Sequence, residues 1–248
     1  MEALVYSFFA GISTVLGVFI LMVFGKPSDK VLASLLGFAG GIMLAVSVFE
    51  LMPEAVELGS MTSAIIGFVL GALMMYGLDK VVPHSHMSEP DDLVIENPEK
   101  MKEMENPILR TGYLILFGIA LHNLPEGLAI GAGLESSPEL GLFIAIAIAL
   151  HNIPEGLAIA GPLKAGGVTT GKLLLFTLIA GLMTPLGAGI GLIFFNISPI
   201  FVAGSLAFAA GAMVYITNDE LVVQANHLNA HMGNAGMIIG LLVGFAIL

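Results

Sequence analysis

The sequence contains no cysteine and no tryptophan, and only 11% of its 248 residues are charged. Because there is no cysteine, the chain forms neither disulfides nor thiolate metal sites, and a bound metal must take oxygen, imidazole nitrogen or thioether ligands. The scarcity of charge, together with 57% hydrophobic residues, excludes an ordinary soluble domain. We therefore predict an integral membrane protein.

Basic residues are especially few. The chain has 8 Lys and Arg but 19 Asp and Glu, and its net charge of −11 argues against nucleic acid as a partner. No basic residue precedes the first apolar run, so this run is predicted to be a retained membrane span and not a cleaved signal peptide.

Turn residues and charges divide the chain into eight apolar runs that we predict to cross the lipid bilayer. The prediction is an all-α integral membrane protein with a single transmembrane domain over residues 1–248. The predicted spans are 3–24, 31–52, 60–80, 108–131, 138–161, 172–195, 198–222 and 232–248. The one long connection, residues 81–107, is predicted to be a polar loop, because it holds four prolines and seven carboxylates.

The basic residues also predict the orientation of these spans. All 8 lie in or beside the connections between spans one and two, three and four, and five and six, which face the same side of the membrane. The connections at 53–59, 132–137 and 196–197 contain none. The positive-inside rule therefore places loop 81–107 in the cytoplasm and both termini outside the cell membrane, the inner or plasma membrane.

Two stretches inside apolar runs, residues 121–131 and 150–160, match at nine of eleven positions, and each contains His-Asn-x-Pro-Glu-Gly. A charge at a bilayer centre costs roughly 2.5–3.5 kcal/mol, so such groups usually mark an ion or substrate path. Residues three or four apart in a helix lie on the same or adjoining faces, which groups the polar side chains of each motif. These are His122, Asn123 and Glu126 in the first copy and His151, Asn152 and Glu155 in the second. Two such helices together can hold one divalent ion or two.

The prolines and the depth of the motifs indicate a transport site. Pro125 and Pro154 each remove a helical hydrogen bond, so a kink is expected at both. Each motif begins about fifteen residues into its span, and because the two spans are antiparallel, both copies should meet at mid-membrane between helices four and five. An ion site at the midplane on broken helices is typical of alternating-access carriers. A lone intramembrane His or Pro is often only structural, but packing alone does not explain two copies of the whole set.

At these residues the chain resembles the ZIP (Zrt-, Irt-like) family of divalent metal transporters, particularly its GufA-type prokaryotic branch. The resemblance covers the whole chain and implies a transmembrane metal site and a possible homodimer. It assigns to that site His122, Asn123 and Glu126 of span four, and Asn152 and Glu155 of span five with His151 beside them. The second span of the family often adds a methionine. Met43 in Gly41-Ile-Met-Leu is therefore a candidate thioether ligand, with apolar packing as the alternative.

The chain departs from this pattern at two positions. Relatives with a two-metal site tend to carry a glutamate before Pro-Leu-Gly in span six, where this chain has Thr184, and Asn152 stands where aspartate is common. Two anionic ligands are thus absent around the second metal position. A site dominated by one ion is the prediction.

Other ionisable residues suggest a route to and from the site. Glu50, near the outer end of span two and followed by Glu54 and Glu57, is predicted to form an acidic entrance, although exposed carboxylates often serve only solvation. Asp219 and Glu220, near the inner end of span seven, are predicted to form the exit. The roles of four further histidines stay open: His84 and His86 in the long loop, and His227 and His231 after span seven.

The leading hypothesis is therefore a carrier that moves Zn²⁺, with Fe²⁺, Mn²⁺ and Cd²⁺ as further candidates, from outside into the cytoplasm. The metal is the transported substrate, and no cofactor is predicted. One alternative is a membrane-embedded di-metal enzyme, but the order His-x-x-x-Glu is not the Glu-x-x-His of di-iron bundles. Another is a proton-coupled carrier of an organic substrate, for which no intramembrane basic residue or aromatic pocket is evident. Whether ions flow through a channel or by alternating access is left open, as is the driving force.

Overall fold

The computed structural model describes residues 2–25, 27–81, 85–86, 94–95, 107–195 and 199–247, and these are almost entirely helical. The α-helices are α1 (Glu2–Phe24), α2 (Asp29–Ala45), α3 (Met52–Leu58), α4 (Met61–Val81), α5 (Pro107–Ser136), α6 (Pro138–Ala165), α7 (Thr170–Phe195), α8 (Pro199–Ile216) and α9 (Val222–Ile247). A two-residue antiparallel ladder pairs β1 (Ser85–His86) with β2 (Val94–Ile95). The prediction of an all-α protein is confirmed for the apolar part of the chain.

Among the described residues, six helical runs are long and apolar enough to cross a membrane, and a shorter apolar helix covers Met61–Gly77. The longest run, Pro199–Ala246, has 48 residues. A straight helix of that length would extend about 72 Å, more than twice the roughly 30 Å of a bilayer core. Asn229 interrupts this run with an extended backbone (φ −167°, ψ 101°), and its Oδ1 accepts a hydrogen bond from the Met232 amide at 3.0 Å. This contact caps a new helical segment within the predicted connection between spans seven and eight.

In the described part of the chain, two π-helical turns interrupt the long helices. Val46–Leu51 joins α2 to α3, so the helical run continues to Leu58, although we predicted that span two ends at residue 52. Pro53 does not stop the helix, because it lies in the first turn of α3, where an amide donor is not needed. Thr217–Leu221 joins α8 to α9 in the same way. π-Turns are frequent at functional sites, and these two contain the predicted path residues Glu50, Asp219 and Glu220.

The structure also exposes a larger internal repeat, in which residues 10–51 correspond to residues 180–221. Ala-Gly-x-x-Thr-x-Leu-Gly occurs at 10–17 and 180–187, and Gly-x-Met at 41–43 returns at 211–213. Packing follows the same correspondence. A Cβ on Gly240 of α9 would lie 2.1 Å from the Phe38 carbonyl oxygen of α2, and a Cβ on Gly71 of α4 would lie 1.9 Å from that of Phe208 in α8. Hence α9 packs on α2 as α4 packs on α8.

The motif helices lie in the middle of this arrangement. α5 and α6 contact each other, and both contact α1 and α7, which also contact each other. At the crossing of α1 and α7, a Cβ on Gly11 would lie 2.0 Å from the Gly181 carbonyl oxygen, so only glycine permits this approach. The four helices form an inner bundle, flanked by the pairs α2–α9 and α4–α8.

Candidate metal centre

The two copies of the repeated motif lie on α5 and α6, and both helices continue through their prolines, Pro125 and Pro154. Glycine follows the glutamate in each copy and brings a neighbouring helix close. A Cβ on Gly127 would lie 1.8 Å from the Thr184 carbonyl oxygen of α7, and a Cβ on Gly156 would lie 1.9 Å from the Thr14 carbonyl oxygen of α1. The glycines therefore hold the motif glutamates at the centre of the inner bundle.

Three of the predicted ligands meet there. Glu126, His151 and Glu155 each offer a ligand atom, and these atoms all lie within 4.8 Å of one another. All three side chains are fully buried, and His151 Nε2 lies 2.8 Å from Glu126 Oε1. Two carboxylates in one buried group repel each other unless a cation lies between them. An imidazole and two carboxylates suit Zn²⁺, Fe²⁺ or Mn²⁺.

The two motif asparagines flank this group in equivalent ways. Asn123 Nδ2 donates to the Ala180 carbonyl oxygen of α7 at 2.8 Å, and Asn152 Nδ2 donates to the Ala10 carbonyl oxygen of α1 at 3.0 Å. Both side chains are fully buried, and neither Oδ1 has a hydrogen-bond partner among the described residues. Only the amide nitrogen can donate to a carbonyl, so each amide is fixed with its oxygen available to a ligand.

The structure gives less information about the other two predicted ligands, His122 and Met43. His122 lies on α5, one turn before Glu126, but its side chain is outside the described part of the structure. Met43 is fully buried in α2, and its sulfur lies 3.8 Å from the Thr217 hydroxyl on the second π-turn. Both remain predicted ligands.

Carboxylates contact α5 on either side of the centre. A Cβ on Gly118 would lie 2.6 Å from Glu220 Oε1, and Ser136 donates a hydrogen bond to Glu54. Along the axis of α5, Gly118 and Ser136 lie about 12 and 15 Å from Glu126 on opposite sides. The candidate centre thus lies midway between an acidic group of α3 and one of the second π-turn.

The remaining predicted path residues and histidines lie away from the buried group. Glu50 is partly buried in the first π-turn, and Asp219 lines a cavity of about 350 Å³ between α4 and α8. His227 and His231 are exposed on either side of the Asn229 break. His84 lies outside the described residues, whereas the backbone of His86 is in β1.

Sequence reasoning missed Thr14 and treated Thr184 only as an absent carboxylate. Both threonines are fully buried, and neither hydroxyl has a hydrogen-bond partner among the described residues. The signal that could have revealed Thr14 is Ala-Gly-x-x-Thr-x-Leu-Gly at 10–17, because it repeats the sequence around Thr184.

Comparison with known proteins agrees with this arrangement. The family described as ZIP Zinc transporter matches residues 82–248. Proteins named Zinc transporter ZupT from Salmonella arizonae and Salmonella newport are each 38% identical to the chain over 249 residues, covering 99% of this chain and 93% of theirs. The protein of that name from Escherichia coli O7:K1 is 38% identical over 250 residues, covering 98% of this chain and 95% of its own length. The resemblance deduced from the motifs is confirmed, and the chain belongs to the ZIP family of transporters.

Proposed function

We propose that the protein carries divalent metal ions, Zn²⁺ foremost, from outside into the cytoplasm. The observation that carries this proposal is the fully buried group of Glu126, His151 and Glu155, which is built from two copies of one motif. The relatives named as zinc transporters identify the class of substrate. The alternative of a membrane-embedded enzyme is set aside, because the family is one of transporters.

The proposed topology has eight spans within one domain. The helical run Asp29–Leu58 supplies span two, and α4 supplies span three although only Met61–Gly77 is strongly apolar. The Asn229 break supports dividing Pro199–Ala246 into spans seven and eight. With the basic connections inside, loop 81–107 is cytoplasmic and both termini are outside. The homodimer implied by the family remains a prediction, which the molecular mass of the protein in detergent checks.

The proposed route runs along α5. Glu50 and Glu54 attract cations at the outer mouth, the centre holds the ion, and Glu220 with Asp219 receives it on the inner side. Glu54 and Glu220 contact α5 on opposite sides of Glu126, and this placement supports the proposed order. Full burial of the centre supports an occluded state, which favours alternating access over an open channel.

We propose one ion in the centre. The buried group offers two carboxylates and one imidazole, and the two negative charges of the ionised carboxylates balance a single divalent cation. Thr184 and Asn152 are neutral, so they add no negative charge at the position where a second ion would need one. Metal analysis of the purified, saturated protein should give one ion per chain in the membrane region.

The function is tested by uptake of labelled Zn²⁺ into proteoliposomes. Glu155→Gln removes one charge from the centre, so uptake should fall at least about tenfold, the loss expected from one charged ligand bond. Glu139→Gln is the matched control, because Glu139 is an exposed residue in the first turn of the same helix. Undiminished uptake by Glu155→Gln would refute the proposed site.

A further inference from the structure

Among the described residues, four of the eight buried serine and threonine side chains donate to a carbonyl of the preceding helical turn. Ser7 donates to Ala3, Ser47 to Met43 and Thr177 to Leu173, at 2.5, 2.8 and 2.9 Å. This local bond is the usual solution for a hydroxyl inside an apolar helix. Thr14 and Thr184 differ, because their buried hydroxyls have no partner among the described residues.

The motif asparagines explain the exception. The carbonyl one turn before Thr14 is that of Ala10, and it accepts the side-chain amide of Asn152 as well as the Ser13 hydroxyl. The carbonyl one turn before Thr184 is that of Ala180, and it accepts the amide of Asn123. In an α-helix each of these carbonyls also accepts the backbone N–H four residues on, which belongs to the threonine itself. Each asparagine amide therefore lies beside one threonine and competes with its hydroxyl for the same acceptor.

Close backbone contacts bring both threonines beside the glycines that follow the motif glutamates. The Thr14 carbonyl contacts Gly156, which follows Glu155, and the Thr184 carbonyl contacts Gly127, which follows Glu126. Four buried neutral oxygens, the two hydroxyls and the two amide Oδ1 atoms, thus have no hydrogen-bond partner among the described residues. Burying a hydroxyl without a hydrogen bond destabilises the protein, and an ion at the centre would offset this cost.

We propose that Thr14 of α1 and Thr184 of α7 are metal ligands that determine which ions the centre accepts. This inference rests on the proposed function. Glu126, His151 and Glu155 suffice for a four-coordinate ion such as Zn²⁺ with one further ligand. Hard ions such as Mn²⁺ require about six ligands, preferably oxygens. The threonine hydroxyls and asparagine oxygens supply them, so this centre accepts Mn²⁺ as well as Zn²⁺.

The test measures equilibrium binding of Mn²⁺ and Zn²⁺ to the purified full-length protein in detergent. Thr14→Val and Thr184→Val remove a hydroxyl with little change of shape, and each should weaken Mn²⁺ binding about tenfold and Zn²⁺ binding much less. Thr14→Ser keeps the hydroxyl and should bind Mn²⁺ like the unaltered chain. Thr177→Val is the matched control, because the Thr177 hydroxyl already donates to its own helix.

Glu155→Gln serves as the reference in the same assay. If it retains Zn²⁺ affinity, the proposed function fails and the inference fails with it. If it loses Zn²⁺ affinity while both valine variants bind Mn²⁺ like Thr177→Val, the centre stands and the threonines are not ligands. The two valine substitutions lie on different helices. A valine variant whose thermal unfolding profile matches that of the unaltered protein is folded, and its Mn²⁺ affinity then decides whether the replaced threonine is a ligand.

Discussion

The contact between His151 and Glu126 joins the two motifs directly. His151 Nε2 and Glu126 Oε1 lie 2.8 Å apart, so one proton is shared between the imidazole and the carboxyl group at this contact. A metal ion that binds His151 Nε2 and Glu126 Oε1 displaces this proton. Metal binding and proton release are therefore coupled at this pair.

Uptake should consequently weaken in acid. Protons compete with the metal for imidazole and carboxylate, so the rate of Zn²⁺ uptake should fall as the pH drops from about 7.5 to 5.5, around the usual titration range of histidine. Proteoliposomes with equal pH on both sides provide the measurement. A constant rate over that interval would contradict histidine ligation.

At this scale the sequence predicts which side chains belong together within a helix, because spacing alone places Glu155 one turn from His151. It does not predict the contact between His151 and Glu126, since that depends on how α5 and α6 approach. Thr14 is missed for the same reason. Its importance follows from a competition for the Ala10 carbonyl that only the packed helices reveal.

Among the elements, glycines determine how closely the inner helices approach. Gly127 and Gly156 face carbonyl oxygens of α7 and α1 at distances that no side chain tolerates. These contacts hold the glutamate before each glycine in the interior. The glycine after each glutamate is evident in the sequence, but the partner helices could not be predicted, since small residues recur on every helix.

Gly156→Ala should therefore force α1 and α6 apart. Its Cβ would lie 1.9 Å from the Thr14 carbonyl oxygen, and overpacking of this kind costs about 1–3 kcal/mol or more. The melting temperature of the detergent-solubilised protein should fall. Gly161→Ala is the control on the same helix, because nothing lies within 4 Å of its added Cβ. Its stability should stay the same or rise by up to about 1 kcal/mol. Equal melting temperatures for the two variants would rule out the close contact.

For the whole molecule, the repeat gives the chain two related halves around the motif helices. In an ungapped alignment residues 10–51 and 180–221 are identical at 16 of 42 positions, most of them small or apolar residues that recur throughout membrane helices, so the sequence alone suggests the repeat. Shared packing makes it clear, because α9 lies on α2 as α4 lies on α8. Glu50 and Glu220 occupy corresponding positions in the two π-turns. One carboxylate at each mouth of the route is what a repeat of opposite orientation would produce.

Because the chain has no cysteine, single introduced cysteines can test the orientation of the molecule in the membrane. Glu57 of α3 and Ala165 at the end of α6 are both exposed. The three proposed spans formed by α4, α5 and α6 lie between them, and an odd number of spans places the two residues on opposite sides of the membrane. In intact cells, a membrane-impermeant maleimide should label Glu57→Cys, whereas Ala165→Cys should react only after permeabilisation. The unaltered chain has no thiol and supplies the background. Labelling in the reverse pattern would invert the proposed topology, and labelling of both from one side would contradict the number of spans between them.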